Sequence, residues 1–258
     1  MVVKNKIKSM LLDGKEVIGT WMVTPSSTNA EIFSKAGMDF IIIDLEHGPV
    51  SYETAQNMIR SAELHNTTPL LRVPTCSQSE ILRGLEIGSH GIVVPNIETK
   101  DQASSVINYL KYSPSGNRGV SAFTRSSGFN AIGKKDRTNF ANQQLLSVIL
   151  VESLSAIKNI DSILTLPEID VVYIGTYDLS QSLGQTDSLY SKEMINILEK
   201  TVRKIRDSGK AAGALSQSSN DTKNWINMGM QFIPYLVDCG IIFDGAKNIV
   251  NDFKSIRN

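Results

Sequence analysis

Eight short apolar segments recur along the chain, and a pattern typical of an amphipathic helix follows nearly every one. Most of the segments are continuous apolar runs, such as FIIIDLE at 40–46, as expected of parallel strands that are covered on both faces. Eight such β-α units in 258 residues predict an α/β fold, a single (β/α)8 TIM barrel over residues 1–258. The other segments are GTWMV (19–23), PLLRVP (69–74), GIVVPNI (91–97), LLSVILVE (145–152), VVYIG (171–175), AAGALS (211–216) and FIPYLVD (232–238).

Two segments lie outside this alternation. Residues 113–144 form a long basic loop, and we expect an excursion that contains a short helix near residues 136–144. Because it follows a helix, barrel topology starts it on the face opposite the carboxyl ends of the strands. Residues 241–256 predict an amphipathic C-terminal helix. An open doubly wound sheet is the alternative fold, but its usual glycine-rich first turn is absent from GTWMVTPS.

The composition limits the classes of partner that the chain is expected to bind. The 26 Lys and Arg residues balance the 26 Asp and Glu residues, so net charge does not indicate a nucleic acid or a membrane surface. No apolar run approaches the roughly 18 residues of a membrane span, and charges interrupt the N-terminal stretch too early for a signal peptide. Cys76 and Cys239 lie far apart without a CxxC motif. We expect a cytoplasmic protein.

Ionisable side chains gather where the predicted strands end. In a (β/α)8 barrel, the carboxyl ends of the strands and the loops after them form the catalytic face. Each side chain alone could be structural, because a strand-end acid can cap the next helix and an arginine can neutralise a buried acid. Their convergence on one face favours a shared site. The residues are Asp44, Glu46, His47, Arg72, Glu152, Asp178 and Asp238.

This set of side chains fits metal-assisted enolate chemistry. Two carboxylates without histidine or cysteine ligands favour an oxygen-ligated ion such as Mg²⁺ or Mn²⁺, and such an ion stabilises negative charge on a carbonyl oxygen. Arg72 can hold a carboxylate or enolate oxygen, and His47 can move protons near neutral pH. Lysines are absent from the predicted strand ends, which argues against a Schiff-base aldolase.

A series of short motifs covers nearly the whole chain. The motifs are GTW, IIIDLEH, LLRVP, EIGSHGIVVPNIET, NRGVS, LVES, GTYDLSQSLG and GKAAGAL. In this order and spacing the sequence resembles the HpcH/HpaI aldolase/citrate lyase family, and within it the class II, metal-dependent pyruvate aldolases. The resemblance implies a keto acid substrate and a divalent ion (Mg²⁺ or Mn²⁺, with Co²⁺ as an alternative). It also implies a homohexamer with an exchanged C-terminal helix.

The resemblance also implies roles for individual residues. The proton-transfer histidine falls on His47, and the arginine that contacts the keto acid falls on Arg72. The two metal-binding carboxylates fall on Glu152 and Asp178. Backbone amides around Tyr177 and Asp178 would bind the pyruvate carboxylate.

Other positions match the family less closely. Glu86 stands where family members carry an acid that orients the histidine, and Trp21 would form part of the pocket wall. The turn that usually reads Gly-Pro-small-Asp has Thr176 and Tyr177 in its middle positions. Leu150 replaces the polar residue, commonly glutamine, that lies two positions before the metal-binding glutamate.

The sequence therefore predicts a carbon–carbon lyase that acts through a metal-stabilised pyruvate enolate. In the cleavage direction, a 2-keto-4-hydroxy acid would lose the proton of its 4-hydroxyl toward His47 and release an aldehyde. Two alternatives remain open. One is a siderophore-type citrate synthase that condenses oxaloacetate with acetyl-CoA. The other is a non-catalytic barrel in which the changed turn has silenced the site.

Overall fold

Eight parallel strands close into a barrel in the computed structural model of the chain, which describes residues 3–130, 134–184 and 191–256. The strands are β1 (Val17–Met22), β2 (Phe40–Asp44), β3 (Thr68–Arg72), β4 (Gly91–Val94), β5 (Leu146–Val151), β6 (Val171–Ile174), β7 (Ala211–Gly213) and β8 (Phe232–Val237). Each strand pairs with the next one along the chain, and β8 pairs in parallel with β1. The predicted (β/α)8 barrel is confirmed, and the open doubly wound sheet is excluded.

Helices alternate with the strands, and most of them pack against the outside of the barrel. Within the described ranges they are α1 (Lys6–Leu12), α2 (Ser27–Lys35), α3 (Tyr52–Glu63), α4 (Gln78–Glu86), α5 (Lys100–Leu110), α6 (Lys134–Gln144), α7 (Leu154–Lys158), α8 (Ile160–Ile163), α9 (Thr176–Ser182), α10 (Lys192–Asp207), α11 (Ser219–Met228) and α12 (Asp238–Ile256). Seven of them begin after a serine or threonine whose side chain accepts a hydrogen bond from a first-turn N–H. Ser51 caps α3 in this way, as its sequence predicts.

The apolar residues form two layers, one inside the barrel and one between the strands and the helices. Successive residues of a strand point to opposite faces, so Phe40 and Ile42 belong to the inner layer and Ile41 and Ile43 to the outer one. The rings of Phe40 and Phe232 stack inside the barrel with their centroids 4.2 Å apart. Both layers need apolar side chains, which explains why the strands are continuous apolar runs.

Several apolar runs extend beyond the strands that they form. β4 ends at Val94 because Pro95 has no N–H to continue the ladder, and β7 ends at Gly213. Leu236 adopts a left-handed backbone conformation (φ +54°), and the pairing of β8 with β1 changes register there. Asp238 consequently begins α12 rather than ending β8.

The basic excursion lies at the amino ends of the strands, as barrel topology predicts. The backbone N–H of Ser126 donates to the carbonyl of Glu86 at the end of α4 (3.3 Å). Arg125 forms an ion pair with Glu63 at the end of α3. The helix α6 confirms the short helix that was predicted near residues 136–144. Residues 131–133 of the excursion lie outside the described part of the chain.

The C-terminal helix α12 exposes apolar side chains along most of its length. Of its described residues only Asp238 is buried, so the predicted amphipathic helix forms but lacks a covering surface within the chain. No helix in the described ranges is long and apolar enough to span a membrane. The exposed apolar residues of α12 are Ile242, Phe243, Ile249, Val250, Phe253 and Ile256.

A methyl group added at Gly19 should disturb the inner layer. A Cβ atom there would overlap the carbonyl oxygen of Phe40 and approach its ring to 2.5 Å. We expect Gly19→Ala to lower the free energy of unfolding by about 1–3 kcal/mol, measured by urea denaturation. The matched control is Gly119→Ala in the basic excursion, where nothing lies within 4 Å of the added Cβ and alanine should be neutral or stabilising. Equal stability of the two variants would contradict this account of the packing.

Candidate active site

A cavity of about 500 Å³ lies at the carboxyl ends of the strands. Its walls come from the ends of β1, β2, β3, β5, β6 and β8, from the segment after β7 and from the first turns of α9 and α12. The cavity brings together six of the seven residues to which the family resemblance assigns a role. They are Trp21, His47, Arg72, Glu152, Tyr177 and Asp178.

A buried ion pair between Asp44 and Arg72 lies at one wall of this cavity. The two residues are adjacent in the register of β2 and β3. Arg72 Nε donates to Asp44 Oδ1 (2.8 Å), and Nη2 donates to Oδ2. Asp44 Oδ1 also accepts the backbone N–H groups of Glu46 (2.9 Å) and His47 (3.3 Å). One carboxylate thus fixes both the arginine and the turn that carries the histidine.

An aromatic ring packs against the guanidinium of Arg72. The guanidinium carbon lies 4.4 Å from the centroid of the Trp21 ring, a cation–π contact. The Trp21 ring meets Tyr173 edge to face at 5.7 Å. Burial alone would lower the pKa of Arg72, but hydrogen bonds to Asp44 and the charges of Asp44 and Glu46 raise it overall. Arg72 therefore remains a fixed cation in the cavity.

Glu46 approaches Arg72 from the other side. Its Oε2 lies 3.0 Å from Arg72 Nη1, yet this buried oxygen has no hydrogen bond of good geometry. Burial raises the pKa of Glu46, and the charges of Asp44 and Asp178 raise it further, whereas Arg72 and His47 lower it. The contact with Arg72 therefore compensates the burial of this carboxylate only in part.

The carboxylate of Glu152 extends from the end of β5 into the cavity. Its Oε1 accepts the backbone N–H of Asn96 (2.7 Å). Burial raises the pKa of Glu152; the Asn96 bond lowers it, the charges of Asp178 and Glu46 raise it, and Arg72 lowers it. Burial and these two carboxylates thus make the ionised form of Glu152 less favourable than in water.

The cavity walls hold more acidic than basic groups. Asp44, Glu152 and Asp178 line the cavity together with Arg72, and Glu46 lies 3.0 Å from that guanidinium. No group of three or more His, Cys, Asp and Glu in the described ranges is arranged to hold a metal ion. Glu152 and Asp178, two of the carboxylates that line the cavity, are nevertheless oxygen donors of the type that Mg²⁺ and Mn²⁺ prefer. They fit a divalent ion whose other ligands come from water or substrate.

His47 and Tyr177 lie at the mouth of the cavity. The His47 residue is exposed, and its backbone is held by Asp44. Tyr177 in the first turn of α9 is 50% exposed, so the tyrosine lies at the rim rather than filling the pocket. Leu150 is 2% exposed and contributes an apolar patch to the wall. Tyr177 and Leu150, which differ from the usual residues of the family, therefore leave the cavity open.

Glu86 does not join the other predicted residues. It ends α4, at the amino ends of the strands, and its carboxylate accepts hydrogen bonds from Arg118 (2.7 Å) and Ser126 (3.2 Å). The pairing of Glu86 with His47 that the resemblance implies is not formed within the chain. A helix that follows a strand returns to the opposite end of the barrel, which separates the two side chains.

Asp238 has a structural role that the sequence did not identify. It is fully buried, and its carboxylate accepts the backbone N–H groups of Val23 (3.1 Å), Thr24 (3.2 Å) and Cys239 (2.8 Å). These bonds join the loop after β1 to the start of α12. An aspartate in the first turn of a helix is the signal that could have indicated this capping function.

Two relatives of known activity align with almost the whole chain. The hydroxypyruvate/pyruvate aldolase of Roseobacter denitrificans is 32% identical over 251 residues, which cover 97% of each chain. The 2-keto-3-deoxy-L-rhamnonate aldolase of Escherichia coli O17:K52:H18 is 33% identical over 255 residues, covering 98% of this chain and 95% of the relative. The chain is thus similar to enzymes that act on carbon–carbon bonds.

Solved structures share the fold over the same length. A protein of the HpcH/HpaI aldolase/citrate lyase family from Burkholderia cenocepacia J2315 superposes with a TM-score of 0.92 at 24% identity, covering 97% of this chain and all of that one. The citrate synthase SbnG superposes with a TM-score of 0.87 at 25% identity, covering 96% and 97% of the two chains. The profile of the HpcH/HpaI aldolase/citrate lyase family matches residues 18–244. The chain belongs to this family of carbon–carbon lyases.

Proposed function

We propose that this chain is a divalent-metal-dependent class II aldolase that makes or breaks a carbon–carbon bond between pyruvate and an aldehyde. The observation that carries the proposal is the convergence of Arg72, His47, Glu152 and Asp178 on one cavity. Such a cavity offers a cation for an anionic keto acid, a group for proton transfer and two oxygen ligands for a metal ion. The substrate in the cleavage direction is a 2-keto-4-hydroxy acid.

Glu152 and Asp178 would hold Mg²⁺ or Mn²⁺, with Co²⁺ as an alternative. When bound, the ion supplies positive charge that polarises the keto group. Arg72 contributes a second positive charge, and its guanidinium donates a hydrogen bond to an oxygen of the pyruvate half. The Asp44 pair and the Trp21 ring fix the guanidinium, so little reorganisation is needed when negative charge develops in the reaction.

His47 moves the proton in this scheme. In the cleavage direction it accepts the proton of the 4-hydroxyl, the bond between carbons 3 and 4 breaks, and the aldehyde leaves. The electron pair of that bond remains on the pyruvate half as an enolate, which Arg72 stabilises until carbon 3 is protonated. The exposed position of His47 leaves it accessible to both substrate and water.

The names of the relatives favour pyruvate-type donors over other keto acids. Both aligned aldolases act on compounds with a 2-keto acid end, and each covers almost the whole chain. Leu150, Leu215 and Val237 give part of the cavity an apolar wall. That wall suits the less polar portion of an aldehyde, while the carboxylates and Arg72 suit the keto acid end.

A citrate synthase activity is the second candidate, because the chain superposes on citrate synthase SbnG at 25% identity. Its reaction would use oxaloacetate and acetyl-CoA in the same cavity. The surplus of carboxylates around Arg72 favours the aldolase, since a metal-dependent reaction explains why these groups are gathered. A non-catalytic barrel is disfavoured because the rim position of Tyr177 leaves the cavity open.

A pyruvate-release assay tests the proposed activity. We expect purified protein to release pyruvate from members of a panel of 2-keto-4-hydroxy acids when Mn²⁺ or Mg²⁺ is present. EDTA should reduce the rate by at least about 100-fold, because the charge that polarises the keto group is lost. Acetyl-CoA plus oxaloacetate serves as the comparison reaction. Citrate formation that persists in EDTA, without pyruvate release from the panel, would favour the citrate synthase instead.

Neutralising Glu152 should stabilise the metal-free protein while removing its activity. The folded protein raises the pKa of Glu152 through burial and the neighbouring carboxylates, so ionised Glu152 opposes folding at neutral pH. We expect Glu152→Gln to raise the melting midpoint in EDTA by a few degrees and to abolish pyruvate release. The stability gain should disappear below pH 4.5, the ordinary pKa, where wild-type Glu152 is also protonated.

The matched control for this variant is Glu53→Gln in the exposed first turn of α3. It removes one carboxylate of the same type outside the cavity. A lower melting midpoint for Glu152→Gln than for wild type at pH 7 would contradict the electrostatic account of the cavity.

We also propose that the chain works as a homo-oligomer in which a second copy covers α12. Its exposed apolar side chains are too many for a solvated helix and include Phe243 and Phe253, which are 64% and 60% exposed. Burial of each large apolar side chain contributes about 1.5–3 kcal/mol. The hexamer that the family resemblance implies is the state we expect.

Light scattering after size-exclusion chromatography tests this assembly. We expect wild-type protein to have a mass close to six times the 28.3 kDa of one chain. Phe243→Ser combined with Phe253→Ser should shift the protein to smaller species, because both rings leave the proposed contact. The control is Phe123→Ser, which removes a phenylalanine of similar exposure (74%) outside α12. A monomeric wild-type protein at micromolar concentration would exclude the assembly.

A further inference from the structure

The Glu152 carboxylate is held from two sides by backbone atoms of neighbouring loops. Its Oε1 accepts the N–H of Asn96, which follows β4. Its Oε2 lies beside Gly175, which follows β6. Within the described residues, Oε2 accepts no hydrogen bond from the protein. The two oxygens of one carboxylate therefore have different environments, and the difference is set by β4 and β6.

Asn96 directs its N–H toward Glu152 through an unusual backbone conformation. Its φ of +58° lies in the left-handed region, which asparagine tolerates better than other residues with a Cβ. The next residue returns to the sheet, since the Ile97 N–H donates to the Leu150 carbonyl (3.0 Å). The preceding Pro95 has no N–H. The Asn96 amide is thus the donor that this turn releases from the ladder for a side chain.

Gly175 affects Glu152 through its lack of a side chain rather than through a hydrogen bond. Its φ of −74° is available to any residue, so the glycine is not required for conformational freedom. A Cβ atom at this position would lie 2.7 Å from Glu152 Cβ and 2.8 Å from Oε2. Such distances are far below van der Waals contact. The absence of a side chain at position 175 is therefore what allows Glu152 to occupy its position.

We propose that Asn96 and Gly175 are positioning residues that fix the Glu152 carboxylate, with Oε1 engaged by the Asn96 amide and Oε2 presented to a divalent cation. This inference rests on the proposed function, in which Glu152 is a metal ligand. It goes further by assigning the orientation of that ligand to two residues that need not contact the cation. Their common feature is a backbone that approaches Glu152 closely.

The physical benefit is preorganisation. A glutamate side chain has three rotatable bonds and loses rotamer entropy when it binds an ion. The hydrogen bond from Asn96, to a charged acceptor, and the tight packing against Gly175 fix the side chain before the ion arrives. Removal of groups that orient metal ligands typically weakens metal affinity by 10–100-fold.

The first test separates the backbone conformation of Asn96 from its side chain. Mn²⁺ affinity is measured by electron paramagnetic resonance on the full chain, without substrate. We expect Asn96→Gly to bind within about twofold of wild type, because glycine adopts the left-handed conformation freely. Asn96→Val should bind at least about tenfold more weakly, because a β-branched residue resists that conformation.

Asn66→Val is the matched control. Asn66 also has a positive φ (+57°), but it follows α3 at the amino ends of the strands, away from Glu152. The same substitution there imposes similar backbone strain and should lower the melting midpoint. It should leave Mn²⁺ affinity unchanged. A loss of affinity in Asn96→Val without a comparable loss in Asn66→Val therefore reports on the positioning of Glu152 and not on general instability.

Gly175→Ala tests the second contact. Its new Cβ must displace Glu152, and we expect Mn²⁺ affinity to fall at least about tenfold. The control is Gly84→Ala, where a Cβ would lie 2.9 Å from Leu71 Cδ2 and 3.0 Å from Ile92 Cδ1. That crowding lies in the outer apolar layer, so the control should change stability without changing Mn²⁺ affinity.

The outcomes distinguish this inference from the proposed function. Wild-type protein that binds no Mn²⁺ would overturn both. Wild-type binding together with unchanged affinity in Asn96→Val and Gly175→Ala would overturn the positioning role alone. Equal losses in the two control variants would also overturn it. Loss in Asn96→Val and Gly175→Ala, with affinity retained in Asn96→Gly and both controls, is the result that the inference requires.

Discussion

The bidentate pair between Asp44 and Arg72 is the interaction on which the catalytic face depends. It joins the last residues of β2 and β3 at the point where the barrel opens. Loss of one partner from such a buried pair typically costs about 3–5 kcal/mol, because the other charge is left uncompensated. The same aspartate also holds the backbone of the turn that carries His47. The positions of Arg72 and His47, which we propose as the substrate-binding cation and the proton-transfer group, are therefore coupled through one side chain.

The architecture could be predicted from the sequence because parallel strands buried on both faces leave a clear pattern. FIIID and PLLR are continuous apolar runs that end in a charge, and both form strands at those positions. The ion pair between Asp44 and Arg72 could also have been predicted from the sequence. Asp44 and Arg72 end consecutive strands of similar length, which makes them candidates for neighbouring positions, and the register of β2 and β3 places them side by side. That reasoning would have assigned Asp44 to Arg72 rather than leaving it as one strand-end acid among several.

Other features of the site depend on long-range geometry that no local pattern records. The left-handed conformation of Asn96 arises from a turn that must satisfy both β5 and the Glu152 carboxylate. Glu86 accepts hydrogen bonds from Arg118 and Ser126, which belong to the basic excursion. The path of the excursion over the barrel is set by tertiary contacts. A resemblance can indicate which position carries an acid, but it does not establish which side chain that acid meets in this chain.

The excess of carboxylates around Arg72 affects which ligands enter the cavity. Keto acids, phosphates and most small metabolites are anions, and a cavity whose walls are net negative repels them at short range. Arg72 cannot offset this repulsion alone, because Asp44 already neutralises it. We therefore expect anionic ligands to enter the cavity less readily when no divalent cation is bound there, although its shape would admit them.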